Sequence, residues 1–173
     1  MMFKPTKIII HCSDSTWGSD YVIDSWHRER GFDENGYHKV ILNGVTSLGD
    51  EYDIRLDGHI EDGRSITKQG AHCKGHNSDS IGICLIGVDE FTSAQYKSLK
   101  ELCERLMEEY GISSDDIYGH NEFSTKTCPN FNVDDFVEQN IHKESTLHDM
   151  SSDIVTDEEM LDCMQTLRRF FKQ

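Results

Sequence analysis

The chain has 173 residues, 36% of them apolar, which is enough for one core and one domain with a short appendage. Its 17 basic and 32 acidic side chains give a formal charge of −15, so no nucleic-acid partner is expected from general electrostatics. The longest apolar run, Ile81 to Val88, is eight residues with two glycines, too short for membrane insertion.

Met1 to Ile10 lacks the long apolar stretch and small-residue cleavage site of a signal peptide, so a cytoplasmic product is expected. Lys7 to Ile10 is a β-branched run that reads as a buried strand delivering His11 and Cys12 at its end. Ser19 or Asp20 can cap a helix running to about Arg30, closed by Gly31. Tyr37 to Leu42 reads as a second strand. Asn43 to Asp57, rich in Gly, Ser, Asp and Asn, reads as an inserted loop or long hairpin, followed by a short strand from His59 to Glu61. Ser80 to Ile86 is apolar at nearly every position, the pattern of a central strand buried on both faces.

Thr92 and Gln95 form a capping box for a helix with Tyr96, Leu99, Leu102, Cys103, Leu106, Met107 and Tyr110 on one face, stopped by Gly111. Asp116 to Tyr118 is a short strand leading into His120, and Val133 to Asn140 a further helix capped by Asn132. His142 to Val155 has no periodicity and reads as a linker. A second capping box, Thr156 with Glu159, opens an amphipathic helix to about residue 171. The predicted fold is α/β, with a mixed central β-sheet flanked by helices and an appended C-terminal helix. The predicted domains are 1–142 and 143–173.

Three segments carry potential chemistry: His11 at a strand end, Gly70-Ala71-His72-Cys73, and Gly119-His120-Asn121-Glu122 followed by Cys128-Pro129. Six cysteines, at 12, 73, 84, 103, 128 and 163, include no C-x-x-C pair and read as reduced thiols, any with a task being a metal ligand rather than half a bridge. Two imidazoles and a thiolate make a zinc shell that leaves a fourth position for water. Spacing alone does not locate the third ligand of such a set. His120-Asn121-Glu122 mimics the H-x-E of nucleobase deaminases, but the accompanying P-C-x-x-C is absent, as is H-E-x-x-H. Walker A, G-x-S-x-G and dinucleotide fingerprints are absent too. Cys12 beside His11 reads as a packing thiol, because adjacent strand residues face opposite ways.

Six segments occur together in order: Ile9-Ile10-His11-Cys12-Ser13, Gly36-Tyr37-His38, Asp57 to Arg64, Gly70-Ala71-His72, Asn77 to Cys84, and Gly119-His120 through Lys126-Thr127-Cys128-Pro129. In this the chain resembles the zinc N-acetylmuramoyl-L-alanine amidases, the group of phage amidase-type lysozymes and peptidoglycan recognition proteins, over about residues 5–141. The resemblance implies a zinc hydrolase of the amide between N-acetylmuramic acid and L-alanine in peptidoglycan, with His11, His120 and Cys128 as ligands. It implies Tyr37 and Lys126 as catalytic residues, and His72 and Asn77 as substrate-binding residues. It implies a phage endolysin held in the host cytoplasm until another protein lets it reach the wall. A recycling amidase is a second setting, and a noncatalytic peptidoglycan-binding or regulatory module is the alternative from another class. Inactive relatives typically lack the ligand cysteine, whereas Cys128 is present. Some phage members of the family bind a viral RNA polymerase, a partner on which these residues are silent. Asn132 stands where the family has an acidic residue, and residues 43–57 exceed the minimal phage form.

Overall fold

A computed structural model of the chain describes residues 3–142. Ile8, Ile9 and Ile10, stiff at χ1, build strand β1 (Lys7–Cys12), which is buried from Ile8 onward. Ser19 caps helix α1 (Asp20–Glu29) by accepting the Val22 N–H. Strands β2 (Lys39–Asn43), β3 (Asp57–Asp62) and β4 (Ser80–Leu85) follow, then helix α2 (Ser93–Tyr110), strand β5 (Ile117–Gly119) and helix α3 (Val133–Val137).

The five strands form one sheet in the order β3-β2-β4-β1-β5. Only β2 and β3 pair antiparallel, so residues 44–56 are the connection of a long hairpin. The other pairings are parallel, with α1 carried in the crossover from β1 to β2 and α2 in that from β4 to β5. Strand β4 lies in the middle and every one of its residues is buried, as its unbroken apolar run requires.

Strand alternation divides the core. Ile8, Ile10, Ile81 and Ile83 meet Leu99, Leu102 and Leu106 of α2 and Val133 and Phe136 of α3. Val40, Leu42, Cys84 and Ile86 meet Ile23 and Trp26 of α1 on the other face. The Thr92–Gln95 capping box is present, and Gly111 ends α2 at φ 67°, a left-handed value that glycine adopts without a Cβ clash. Gln95 is wholly buried, and its amide donates to Ile41 O at 3.2 Å and Ile86 O at 2.8 Å, tying α2 to the ends of two strands.

Two boundaries differ from the sequence expectation. Strand β2 begins at Lys39, leaving Tyr37 in the preceding turn. The last helix is α-helical only to Val137 and continues as a π-turn, Glu138–His142, where the Asn140 side-chain amide occupies the Phe136 carbonyl at 2.8 Å. The chain divides into two units, Met1–Ile141 and His142–Gln173, and the linker and amphipathic helix expected after residue 142 lie outside the described residues. No described helix is long and apolar enough to cross a membrane.

Candidate metal centre

The parallel strands β1, β2 and β4 end at one edge of the sheet, where open α/β folds place their sites. His11 points from β1 into that edge and is 1% exposed. His120 opens a single 3₁₀ turn, His120–Glu122, directly after β5. The Glu122 carboxylate accepts the Gly119 N–H at 2.6 Å, which fixes how the chain leaves the strand. Cys128 returns on a loop held by the Asn121 N–H donated to its carbonyl at 2.8 Å, and its peptide bond to Pro129 is cis.

One ligand atom from each of His11, His120 and Cys128 lies within 4.8 Å of the others, the one such group of three among the described residues. His11 Nδ1 is 3.9 Å from Cys128 Sγ, and donors of one tetrahedral zinc stand roughly 3.5 Å apart. The donor chemistry fits. Burial, and then the neighbouring His72 and His120 rings, hold His11 well below the usual imidazole range, and burial followed by the Lys126 charge lowers His120. Both rings are therefore neutral near pH 7, the form that binds a metal. The Cys12 N–H donates to Cys128 Sγ at 3.2 Å, a bond that favours thiolate. Two nitrogens and a sulfur suit a borderline-soft ion rather than magnesium or calcium, and three protein donors leave a coordination position open.

A cavity of about 580 Å³ opens over this cluster. Tyr37, His72 and Lys126 all line it. The Tyr37 ring is 5.0 Å from that of His11. Burial, with the thiols of Cys84 and Cys128 nearby, raises the phenol well above its ordinary range, so it remains a proton donor. Lys126 is exposed at the cavity, two residues before Cys128. His72 stands behind His11, with Nδ1 3.0 Å from His11 Nε2. Asn77 is absent from the cavity lining; its side-chain oxygen accepts the backbone N–H groups of His72 and Cys73, each at 2.8 Å, and braces the loop that carries His72.

Sequence reasoning missed two residues here. Arg30 lines the cavity and, among the described residues, its guanidinium has no hydrogen-bond or ion-pair partner. It lies at the end of α1, where a basic residue is ordinary, so nothing in the pattern marks it. Strand alternation predicts Cys12 to be a packing thiol facing away from His11. Yet the Cys128 loop folds over the end of β1, so that the Cys12 N–H meets Cys128 Sγ and Cys12 itself lines the cavity. Alternation fails as a guide at a strand terminus that another loop covers.

This combination defines an α/β protein with a three-donor group that could hold a metal beneath a solvent-accessible cavity. The profile of the N-acetylmuramoyl-L-alanine amidase family matches residues 2–131, and the chain belongs to that family. It is 34% identical to the endolysin of Enterobacteria phage T3 over 156 residues, covering 81% of this chain and 93% of that one. It is likewise 34% identical to the endolysin of Escherichia phage T7 over 145 residues, covering 77% and 85%. Among solved structures it resembles the N-acetylmuramoyl-L-alanine amidase LysC from Clostridium intestinale, with a TM-score of 0.67, 27% identity, and coverage of 79% of this chain and 85% of that one.

Proposed function

We propose that this protein is a phage endolysin that uses zinc to hydrolyse the amide between the lactyl group of N-acetylmuramic acid and L-alanine. The observation that carries this reading is the convergence of His11, His120 and Cys128 in one cavity with Tyr37 and Lys126. His11, His120 and Cys128 would hold the ion. Bound there, zinc supplies Lewis-acid polarisation and lowers the pKa of water, which gives a nucleophile near neutral pH.

The chain's own residues then account for the rest. As water adds to the amide, charge gathers on the carbonyl oxygen. The Tyr37 hydroxyl and the Lys126 ammonium are the donors available to that oxygen, and they stabilise it more than the neutral ground state. Arg30 and Lys126, without an ion-pair partner among the described residues, place two positive charges at the cavity of a strongly acidic protein, which suits the carboxylates of a muramyl peptide stem.

Purified protein is expected to contain about one equivalent of zinc and to release peptides with a free N-terminal L-alanine from intact glycan. Elemental analysis and mass spectrometry of digested peptidoglycan test this together. A metal-free protein that digests the wall at the same rate overturns the zinc reading, and cleavage elsewhere in the peptide or glycan overturns the bond assignment.

A further inference from the structure

A metal-binding imidazole must present a lone pair from one nitrogen and carry its proton on the other, and the partner of the second nitrogen decides which tautomer forms. His11 Nδ1 faces Cys128 Sγ, so its proton belongs on Nε2, which faces His72 Nδ1 at 3.0 Å. His72 Nδ1 must then accept, which places the His72 proton on Nε2. That nitrogen faces Ser80 Oγ at 3.4 Å. Ser80 Oγ lies 2.6 Å from the His76 carbonyl oxygen, which can only accept, so the hydroxyl proton points there and its lone pairs remain for His72. The reverse polarity would leave two oxygens 2.6 Å apart with no hydrogen between them.

The fold also gives up side chains to seat this ring. A Cβ on Gly70 or on Gly82, the latter in the middle of β4, would each stand 2.5 Å from His72 Cδ2. Asn77 clamps the backbone of His72, and Ser80 is wholly buried. Glycine inside a strand weakens it, so its presence in β4 answers to the imidazole it admits.

We infer that His72 is a positioning residue for the metal centre: through a one-way chain from His11 to His72 to Ser80 to the His76 carbonyl, it fixes His11 in the tautomer that turns Nδ1 toward the ion. The inference rests on the metal-centre reading above and replaces substrate binding as the principal role of His72.

The test uses the full-length ¹⁵N-labelled protein, with long-range ¹H–¹⁵N spectra of the imidazoles and zinc affinity measured against a chromophoric chelator. His11 is expected as the Nε2–H tautomer even after zinc is removed. His72→Phe, a ring without an acceptor, is expected to raise the zinc dissociation constant about 10- to 100-fold. His72→Asn, whose side-chain oxygen can stand where Nδ1 does, restores most of the affinity, and Ser80→Ala gives a smaller loss in the same direction. An Nδ1–H tautomer of His11 in the wild type overturns the proposal whether or not any variant folds. So does a folded His72→Phe protein that keeps its zinc affinity and only raises KM, since that is the behaviour of a substrate contact. Because the tautomer is read without metal, a protein that holds His11 as Nε2–H yet binds no zinc would overturn the zinc reading and leave the hydrogen-bonded chain standing.

Discussion

Tyr37 and Lys126 reach the cavity in different ways, and this separates the outcomes of changing them. The Tyr37 ring packs against His11 and His27, whereas the Lys126 side chain is exposed. Removing an aligned donor to a developing oxyanion commonly costs about 3–4 kcal/mol in the transition state. Tyr37→Phe and Lys126→Ala are therefore each expected to lower kcat about 100-fold or more, with KM and zinc content near wild type. Lys126→Ala should leave thermal stability unchanged, whereas Tyr37→Ala, which removes the ring packed against His11 and His27, should lower Tm. Cys128→Ser differs in kind, losing zinc together with turnover. Steady-state kinetics beside elemental analysis distinguishes the cases; unchanged turnover in both donor variants would remove these two residues from the mechanism.

At the scale of elements, Gln95 closes a capping box and also seals the sheet, so it should matter more than its helix-end position suggests. Thr92→Ala removes one cap and is expected to cost about 1 kcal/mol. Gln95→Leu takes away the donor to Ile86 O in a buried setting, and an unsatisfied buried carbonyl adds about 1–3 kcal/mol to the lost cap. Urea denaturation of both variants checks the ordering, and equal losses would mean that water replaces the amide. The capping box was legible in the sequence because it is local, as were Ser19, Gly111 and the apolar face of α2. The strand order was not, because the placement of β4 between β1 and β2 depends on contacts far apart in the chain. The same division holds at the site. His11, His120, Cys128, Tyr37 and Lys126 stand in recognisable local motifs, whereas Arg30, the Cys12 contact and the bracing by Asn77 exist only once loops meet in space.

For the molecule as a whole, buried histidines set the response to acid. Besides the ligand rings, His27 accepts the Gly36 N–H and His38 the Gly82 N–H, each at 2.9 Å through Nδ1. Burial foremost lowers both from the ordinary value of 6.5. Above pH 6.5 neither state binds these protons, and the native contacts are fully retained. As pH falls through 6.5 the unfolded chain takes up protons that the native state resists, so stability drops, by up to about 1.4 kcal/mol per pH unit for each site. Denaturation midpoints of metal-free protein should fall between pH 7.5 and 5.5, a window above the carboxylate range. His27→Asn, which can keep the acceptor without the titration, should flatten the slope; an unchanged slope would show that His27 charges freely in the native state. A chain ending at residue 142 contains every residue proposed for the chemistry, so it is expected to retain turnover on a small muramyl peptide. Complete loss in a soluble, folded truncation would move the domain boundary.

The position of β1 between β4 and β5 has a consequence for biosynthesis. His11 is among the first residues to leave the ribosome, yet its strand gains its first neighbour only when residues 80–85 have emerged and its second only after residues 117–119. Cys128 follows later still. Every shorter nascent chain therefore lacks one of the three residues, and until residues 117–119 emerge it also leaves one edge of β1 unpaired, a state open to wrong strand partners. The group that could hold a metal is assembled only late in translation, and a ribosome that stalls before residue 128 releases a product that holds the first histidine without the means to close the site around it.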